Sequence, residues 1–409
     1  FIIALLGAAA FAAACIAAVV YYVDPLRVYH APRSNRGELY YGNIKWQAPG
    51  MIREHFLDGS DGKIAILGAS LTKMVLPTDV KDILGRDGAY SFVVGSVSPM
   101  EASDQLARLL QSRSLETVIC GMETVYYLLD KYDDYEMPAN EQYPSSLYSD
   151  NILRHLNYLL NREMLLASFA LQYPASQRAL PGFYKVYNTS STYQTISASR
   201  NGTFSKHSST PSLQLIQARR EANRELAKAG RKAIEQGARP KINFQHFNKL
   251  ADHALANPKV EFILFLPPVH TSNYVYADKQ FAINYYYGLK QLVEKLKAAP
   301  NAKVFAFDDC PEIVENTANY MDGSHFAIGV PRYFLYSVRE NKHLITADNV
   351  DAYLRRVFDL WENGKCYTDL MHTVGFDGGP LDELTYSRYP YPKSPYALAS
   401  PASSESPAA

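Results

Sequence analysis

The chain has 409 residues with 41 basic and 41 acidic side chains, so no net charge draws it to a polyanion, and DNA or RNA binding is excluded as its main task. Its hydrophobic share of 47% supplies a sizeable core and excludes wholesale disorder, while four cysteines in this length exclude a small disulfide scaffold. Against roughly 100–200 residues per domain, the length admits one large elaborated domain or two.

Phe1 to Val23 reads FIIALLGAAAFAAACIAAVVYYV, an uncharged run long enough to cross a hydrocarbon core as a helix. Tyr21 and Tyr22 then stand at the level of an aromatic belt. A cleaved signal peptide is the rival reading, but its apolar core is only about 7–15 residues long, and a retained anchor is expected. Without an initiator methionine the chain is expected to begin inside a longer sequence, so its orientation is inferred rather than read from flanking charges. No second run of spanning length follows, and everything from Asp24 onward is expected in one aqueous compartment.

After the anchor, short apolar runs alternate with helix-like segments, the pattern of an α/β fold with a parallel sheet. Five strands are predicted, at Lys63 to Leu67, Tyr90 to Val94, Glu116 to Cys120, Val260 to Leu266 and Lys303 to Phe307. The stretch between the third and fourth, about residues 131–258, is too long for a simple connection. It starts Tyr-rich, contains the charged helical run Leu213 to Gln236, and reads as a partly helical cap or as a surface elaboration without a binding role. The aqueous domain is expected over 24–375, and the Pro/Ser-rich stretch 376–409 lacks a core-forming pattern.

The first predicted strand runs into Leu67-Gly68-Ala69-Ser70, so a glycine turn presents a serine where ligands bind in open parallel sheets, at the carboxyl ends of strands. A serine hydroxyl needs a base to take its proton, and the base needs a carboxylate to fix its tautomer. Asp322 and His325, three residues apart after the last predicted strand, offer that pair from one segment. Cys15, Cys120, Cys310 and Cys366 form no Cys-x-x-Cys pair and have no His-rich partner spacing, so no metal site is expected, and Cys310 with Cys366 is the pair to test for a disulfide. No P-loop or Gly-x-Gly-x-x-Gly fingerprint occurs, and no cofactor is expected.

Gly68-Ala69-Ser70 after the first strand, Val94-Gly95-Ser96 after the second, and the late Asp322-x-x-His325 together resemble the SGNH (GDSL-like) hydrolase superfamily. With the Tyr22-Val23-Asp24-Pro25 exit of the anchor, Phe265-Leu266-Pro267-Pro268-Val269-His270 and Asn319-Tyr320-Met321-Asp322, the chain looks most like the membrane-anchored, DltD-like branch and its exopolysaccharide-acetylating relatives. The likeness covers about residues 1–360. It implies a flavodoxin-like three-layer sandwich with Ser70 as nucleophile, His325 as general base and Asp322 as orienting carboxylate. Gly95 matches the family's oxyanion glycine, with the Ser70 amide beside it. The third block departs from the family: Gly121-Met122-Glu123-Thr124 has no asparagine, which leaves Thr124 as a substitute donor. His270, at the end of the fourth strand, is a candidate pocket residue or a satisfied structural histidine.

The resemblance implies a single-pass protein of a bacterial cytoplasmic membrane whose domain faces the periplasm or exterior. Its expected role is an O-acyltransferase or esterase acting on a surface polysaccharide or similar polymer through an acyl-enzyme. A multi-spanning membrane acyltransferase is its implied partner. Two rivals stand beside this reading: a non-catalytic scaffold with a vestigial triad, and a plain deacetylase that differs only in using water as acceptor.

Overall fold

The structure, a computed structural model, describes residues 1–30, 39–41, 46, 48–58, 62–93, 97–129, 143–172, 183–185, 213–276, 279–315, 319–320, 324–326 and 329–364. Its strands are β1 (Leu39–Tyr41), β2 (Ile64–Leu67), β3 (Ala89–Ser91), β4 (Thr117–Gly121), β5 (Phe183–Lys185), β6 (Glu261–Leu266), β7 (Ala302–Ala306) and β8 (Leu344–Ile345). Six of them form one sheet in the order β3-β2-β4-β6-β7-β8, while β1 and β5 pair separately and antiparallel. All five predicted strands are present and mutually parallel. The prediction missed the antiparallel edge strand β8 and the β1–β5 pair.

Side chains alternate between the two faces of a strand, and here both faces are covered. Ala65, Leu67, Val118, Cys120, Phe262, Leu264 and Val304 pack with helices Pro99–Leu109, Gln245–Ala256, Lys279–Leu296 and Val350–Asn363. Ile64, Ile66, Ile119, Ile263, Phe265 and Phe305 pack with helices Pro77–Leu84 and Gly329–Glu340. A sheet buried on both sides explains why β2 and β4 read as unbroken apolar runs.

Local chemistry sets the helix ends. Pro99 opens its helix behind Ser98, whose hydroxyl takes the Glu101 amide at 3.3 Å while the Glu101 carboxylate takes the Ser98 amide at 2.8 Å, a reciprocal cap. Pro77 opens the preceding helix and Gly85, at φ 68°, closes it in the left-handed conformation. That helix is tied to Gly329–Glu340 by a buried ion pair, Asp79 to Arg332 at 3.4 Å.

In chain order the five parallel strands lie 2-1-3-4-5, so the chain goes outward from β2 to β3 and then returns past β2 to β4. Strand order reverses between β2 and β4, and that is where an open α/β sheet leaves a crevice at its carboxyl edge.

The predicted charged run forms the helix Leu213–Glu235, which packs on Lys279–Leu296, on Val350–Asn363 and on the turn Thr271–Tyr276 that follows β6. Its Arg220 is buried. The guanidinium meets Glu315 Oε1 at 2.9 Å and donates to the carbonyls of Trp361 and Leu360 at 2.9 and 3.1 Å.

The apolar helix Ile2–Val23 is, among the described residues, the one helix long and apolar enough to span a membrane. It ends on Asp24, whose φ of 48° turns the chain back. The Asp24 carboxylate accepts the amides of Val28 at 2.9 Å, Tyr29 at 2.6 Å and His30 at 2.8 Å, and the Tyr158 hydroxyl at 2.9 Å. The helix therefore has a buried polar clasp to the 156–159 helix, around which Val20, Leu26, Leu147, Leu159 and Met164 pack. Beside the clasp Ile152, Leu153, Leu156, Leu160 and Phe169 stay exposed, Leu153 by 70%.

Gly95 and Asp322 lie outside the described residues, as do the segment 131–142 and the stretch 376–409. Cys310 is a free thiol, and Cys366, raised as its disulfide partner, is also outside them.

Candidate active site

Ser70 follows β2 at the point where strand order reverses. The chain leaves Leu67 through Gly68, whose φ of 143° suits glycine. It then folds into a tight helical turn in which the Thr72 amide donates to the Ala69 carbonyl at 3.0 Å and the Val75 amide to the Thr72 carbonyl at 2.9 Å. Ser70 is left half-buried at the top of this turn. Thr72 is fully buried and fills the space between two glycines: a Cβ on Gly68 or on Gly121, at the end of β4, would overlap its Oγ1. These glycines permit the turn of β2 to sit against the end of β4.

His325 arrives from 255 residues later, and its Nε2 lies 2.9 Å from Ser70 Oγ. This is hydrogen-bond distance for a nucleophile and its base. The segment carrying His325 is held on both sides. Tyr320 pairs with Phe326 across an antiparallel bridge, and Ser324 Oγ is hydrogen-bonded by the Asn273 side chain. Asn319 donates to the carbonyls of Glu312 and Ile313 at 2.8 and 3.2 Å, closing the short helix before it.

His270 belongs to this support. It is 0% exposed, and its Nδ1 accepts the Ser272 amide at 3.1 Å with the Ser272 hydroxyl at 2.7 Å. Its other ring nitrogen donates to the Glu315 carbonyl. The ring packs edge-on against Tyr320, 5.5 Å between centroids. Burial, and less so the Arg220 charge, pushes the imidazole down to about 3, so it stays neutral. Of the two readings of His270, the structure favours the structural one, because both ring nitrogens are engaged within the protein. Thr124 is buried as the first residue of the helix Thr124–Tyr127.

The residue that sequence reasoning passed over is Glu123. At the third block attention fell on a missing asparagine and on Thr124, yet Glu123 carries the contacts. Its carboxyl group is 3% exposed and accepts the Leu71 amide at 2.9 Å, with the amides of Thr72 and Ala69 also turned toward it. The Ser70 turn is thus fastened to one side chain just past β4. Burial raises the carboxyl to about 7, although those amides and the nearby His325 pull it down. An acidic residue two positions past a fully buried strand is the signal that could have found it.

The structure brings Ser70 and His325 together, with Glu123 beneath the turn of the first and within the electrostatic reach of the second. No protein-family profile and no curated protein matches this chain.

Proposed function

We propose that this chain is a membrane-anchored serine acyltransferase or esterase of SGNH type, acting outside the cytoplasm on a surface polysaccharide or similar polymer. The observation that carries the reading is the 2.9 Å contact between Ser70 Oγ and His325 Nε2 at the carboxyl edge of a parallel sheet. A scaffold with a vestigial triad has no need of that distance. The strand order 2-1-3-4-5 is the one described for flavodoxin-like folds and supports the SGNH resemblance.

In the proposed reaction His325 takes the Ser70 proton as Oγ bonds to the acyl carbonyl of a donor. The tetrahedral adduct then expels the donor's leaving group, which receives that proton from His325. A sugar or polyol hydroxyl attacks the acyl-enzyme in the second half, with His325 again taking and returning the proton. Water in place of the hydroxyl gives the deacetylase. By the family resemblance Asp322 orients His325 and Gly95 donates to the oxyanion, and a multi-spanning acyltransferase supplies the acyl group.

The test is the intact mass of the full chain in detergent after exposure to a fluorophosphonate. The wild type should gain one adduct, Ser70→Ala none, and His325→Ala should react about 100–10,000-fold more slowly, the usual contribution of a positioned base. An unmodified, folded wild type would remove the activated serine and favour the scaffold.

The exposed apolar side chains beside the Asp24 clasp support the membrane half of the reading, since Leu156 and Phe169 lie on helices packed against Ile2–Val23, and Ile152 and Leu153 lie on the turn that leads into the first of them. We expect an environment-sensitive fluorophore on Leu153→Cys, with Cys15 and Cys366 replaced by serine, to be quenched by chain-labelled lipids in nanodiscs. The same probe on Glu235→Cys, at an exposed helix end, should not be. Equal quenching at both positions would contradict a lipid-facing surface at Leu153.

A further inference from the structure

The second cluster of chemical interest lies three strands along the same sheet edge from Ser70, about 14 Å between strand axes. The register of β7 and β8 builds it. Phe305 pairs with Leu344 and Val304 with Ile345, so His343 sits beside the end of β7, and the Ala306 amide donates to its carbonyl at 3.3 Å. Beyond β7 the chain folds back at once, the Cys310 amide donating to the Phe307 carbonyl at 3.0 Å, which brings Asp309 and Cys310 over the strand end.

The side chains converge there. Cys310 Sγ lies 3.5 Å from His343 Nδ1 and 3.6 Å from Asp309 Oδ1, and one ligand atom from each of the three residues falls within 4.8 Å of the others. Tetrahedral zinc, with bonds of about 2.3 Å to sulfur and about 2.0 Å to nitrogen or oxygen, sets its ligand atoms about 3.5 Å apart. The outward atoms are occupied: His343 Nε2 is 2.8 Å from the Tyr333 hydroxyl, and Asp309 Oδ2 meets Arg356 at 2.8 and 2.9 Å. Such partners fix a ligand's orientation in metal sites. Cys310 is 7% exposed while Asp309 and His343 are half-buried, so the sulfur is shielded and an approach from solvent remains.

We propose that Asp309, Cys310 and His343 bind one divalent cation of the zinc class through Oδ1, Sγ and Nδ1. Binding replaces the Cys310 S–H bond by a metal–thiolate bond, and the proton leaves to solvent. Thiolate and carboxylate balance the two charges of the ion, which suits a largely buried centre. Burial and the neighbouring carboxylates of Asp309, Glu312 and Asp308 push the free thiol well above its ordinary range, and the same negative surroundings attract a cation. Burial pushes His343 down, keeping the ring in its neutral, ligating form. Three protein ligands leave a fourth tetrahedral position. The ion would join the end of β7 to the start of β8 and brace the segment that leads on to His325. The site is invisible in residue spacing because His343 stands 33 residues from Cys310 and meets it only through strand pairing.

The test uses the full chain in detergent, stripped with a chelator and titrated with cobalt(II), then with zinc(II). One equivalent of cobalt should produce a thiolate-to-metal charge-transfer band that zinc abolishes, and zinc should raise the unfolding temperature. Cys310→Ser should lose the band and the zinc-dependent rise, and Tyr333→Phe should weaken zinc binding about 10–100-fold. If Cys310→Ser fails to fold, His343→Gln must show the same losses. A wild type that gives no thiolate band, or a band unchanged in Cys310→Ser or His343→Gln, would overturn the proposal. The cluster would then be a metal-free chain of hydrogen bonds from Tyr333 through His343 and Cys310 to Asp309.

Discussion

Replacing Glu123 with alanine should cost about 1–3 kcal/mol of folding stability and largely abolish the reactivity of Ser70. The alanine leaves the buried amide of Leu71 without its acceptor and removes the carboxyl toward which the amides of Ala69 and Thr72 turn, and a buried unsatisfied donor costs about 1–3 kcal/mol. These amides belong to the turn that presents Ser70, so relaxation there moves Oγ away from His325. Glutamine keeps the volume and one acceptor oxygen and should lose less. The pH dependence separates the charge from the shape. The carboxyl rises from its ordinary 4.5 to about 7 on folding, so the folded state holds the proton more tightly than the unfolded state. Stability contributed by this group is therefore complete below about pH 4.5 and falls as pH climbs to about 7, by about 3 kcal/mol in all. Trp361, buried against Tyr285 and Phe358, reports unfolding by its fluorescence. Denaturant midpoints at about pH 5 and about pH 7.5 should differ in the wild type and coincide, so far as this group is concerned, in Glu123→Gln. A slope that survives unchanged in the glutamine variant would show that another group carries it.

The second large effect is expected at Gly121. An alanine Cβ there would overlap Thr72 Oγ1, with Phe265 on its other side, and overpacking of this kind costs about 1–3 kcal/mol. The strain falls on the nucleophile turn, so Gly121→Ala should also slow fluorophosphonate labelling of Ser70. Thr72 Oγ1 has no hydrogen-bond partner among the described residues, so Thr72→Ala removes the obstructing atom without breaking a hydrogen bond. The double variant should recover much of the lost stability and labelling rate, with a coupling of about 1–2 kcal/mol between the two sites. Simple additivity of the two single variants would show that the glycine is required for some other reason.

The parts of the fold that sequence exposed were those in which one force dominates. β2, β4 and β6 are buried on both faces, and continuous apolar runs of strand length mark them to within a residue or two. β8 has only two residues and β1 three, too short to establish a period, so their pairing is set by tertiary contacts. Ser70 and His325 were legible because a serine behind a strand-ending glycine and a late Asp-x-x-His suggest one reaction between them. Glu123 was hidden by the opposite circumstance. Its significance lies in a backbone amide of another strand's turn, and amides leave no trace in residue identity.

The clasp at Asp24 also bears on how far the site can travel. A flexible tether would let the domain roam on a leash whose reach grows with the square root of its length. Here the leash has no slack, because the residue ending the apolar helix is itself fastened to Tyr158 and to the amides that follow it. With that helix in a bilayer, lateral diffusion and spinning about the membrane normal would remain, while tilting and lifting would strain the clasp. If Ser70 acts as proposed, its search for a donor would then be confined to a plane at one height, and any partner would have to present its acyl group at that level.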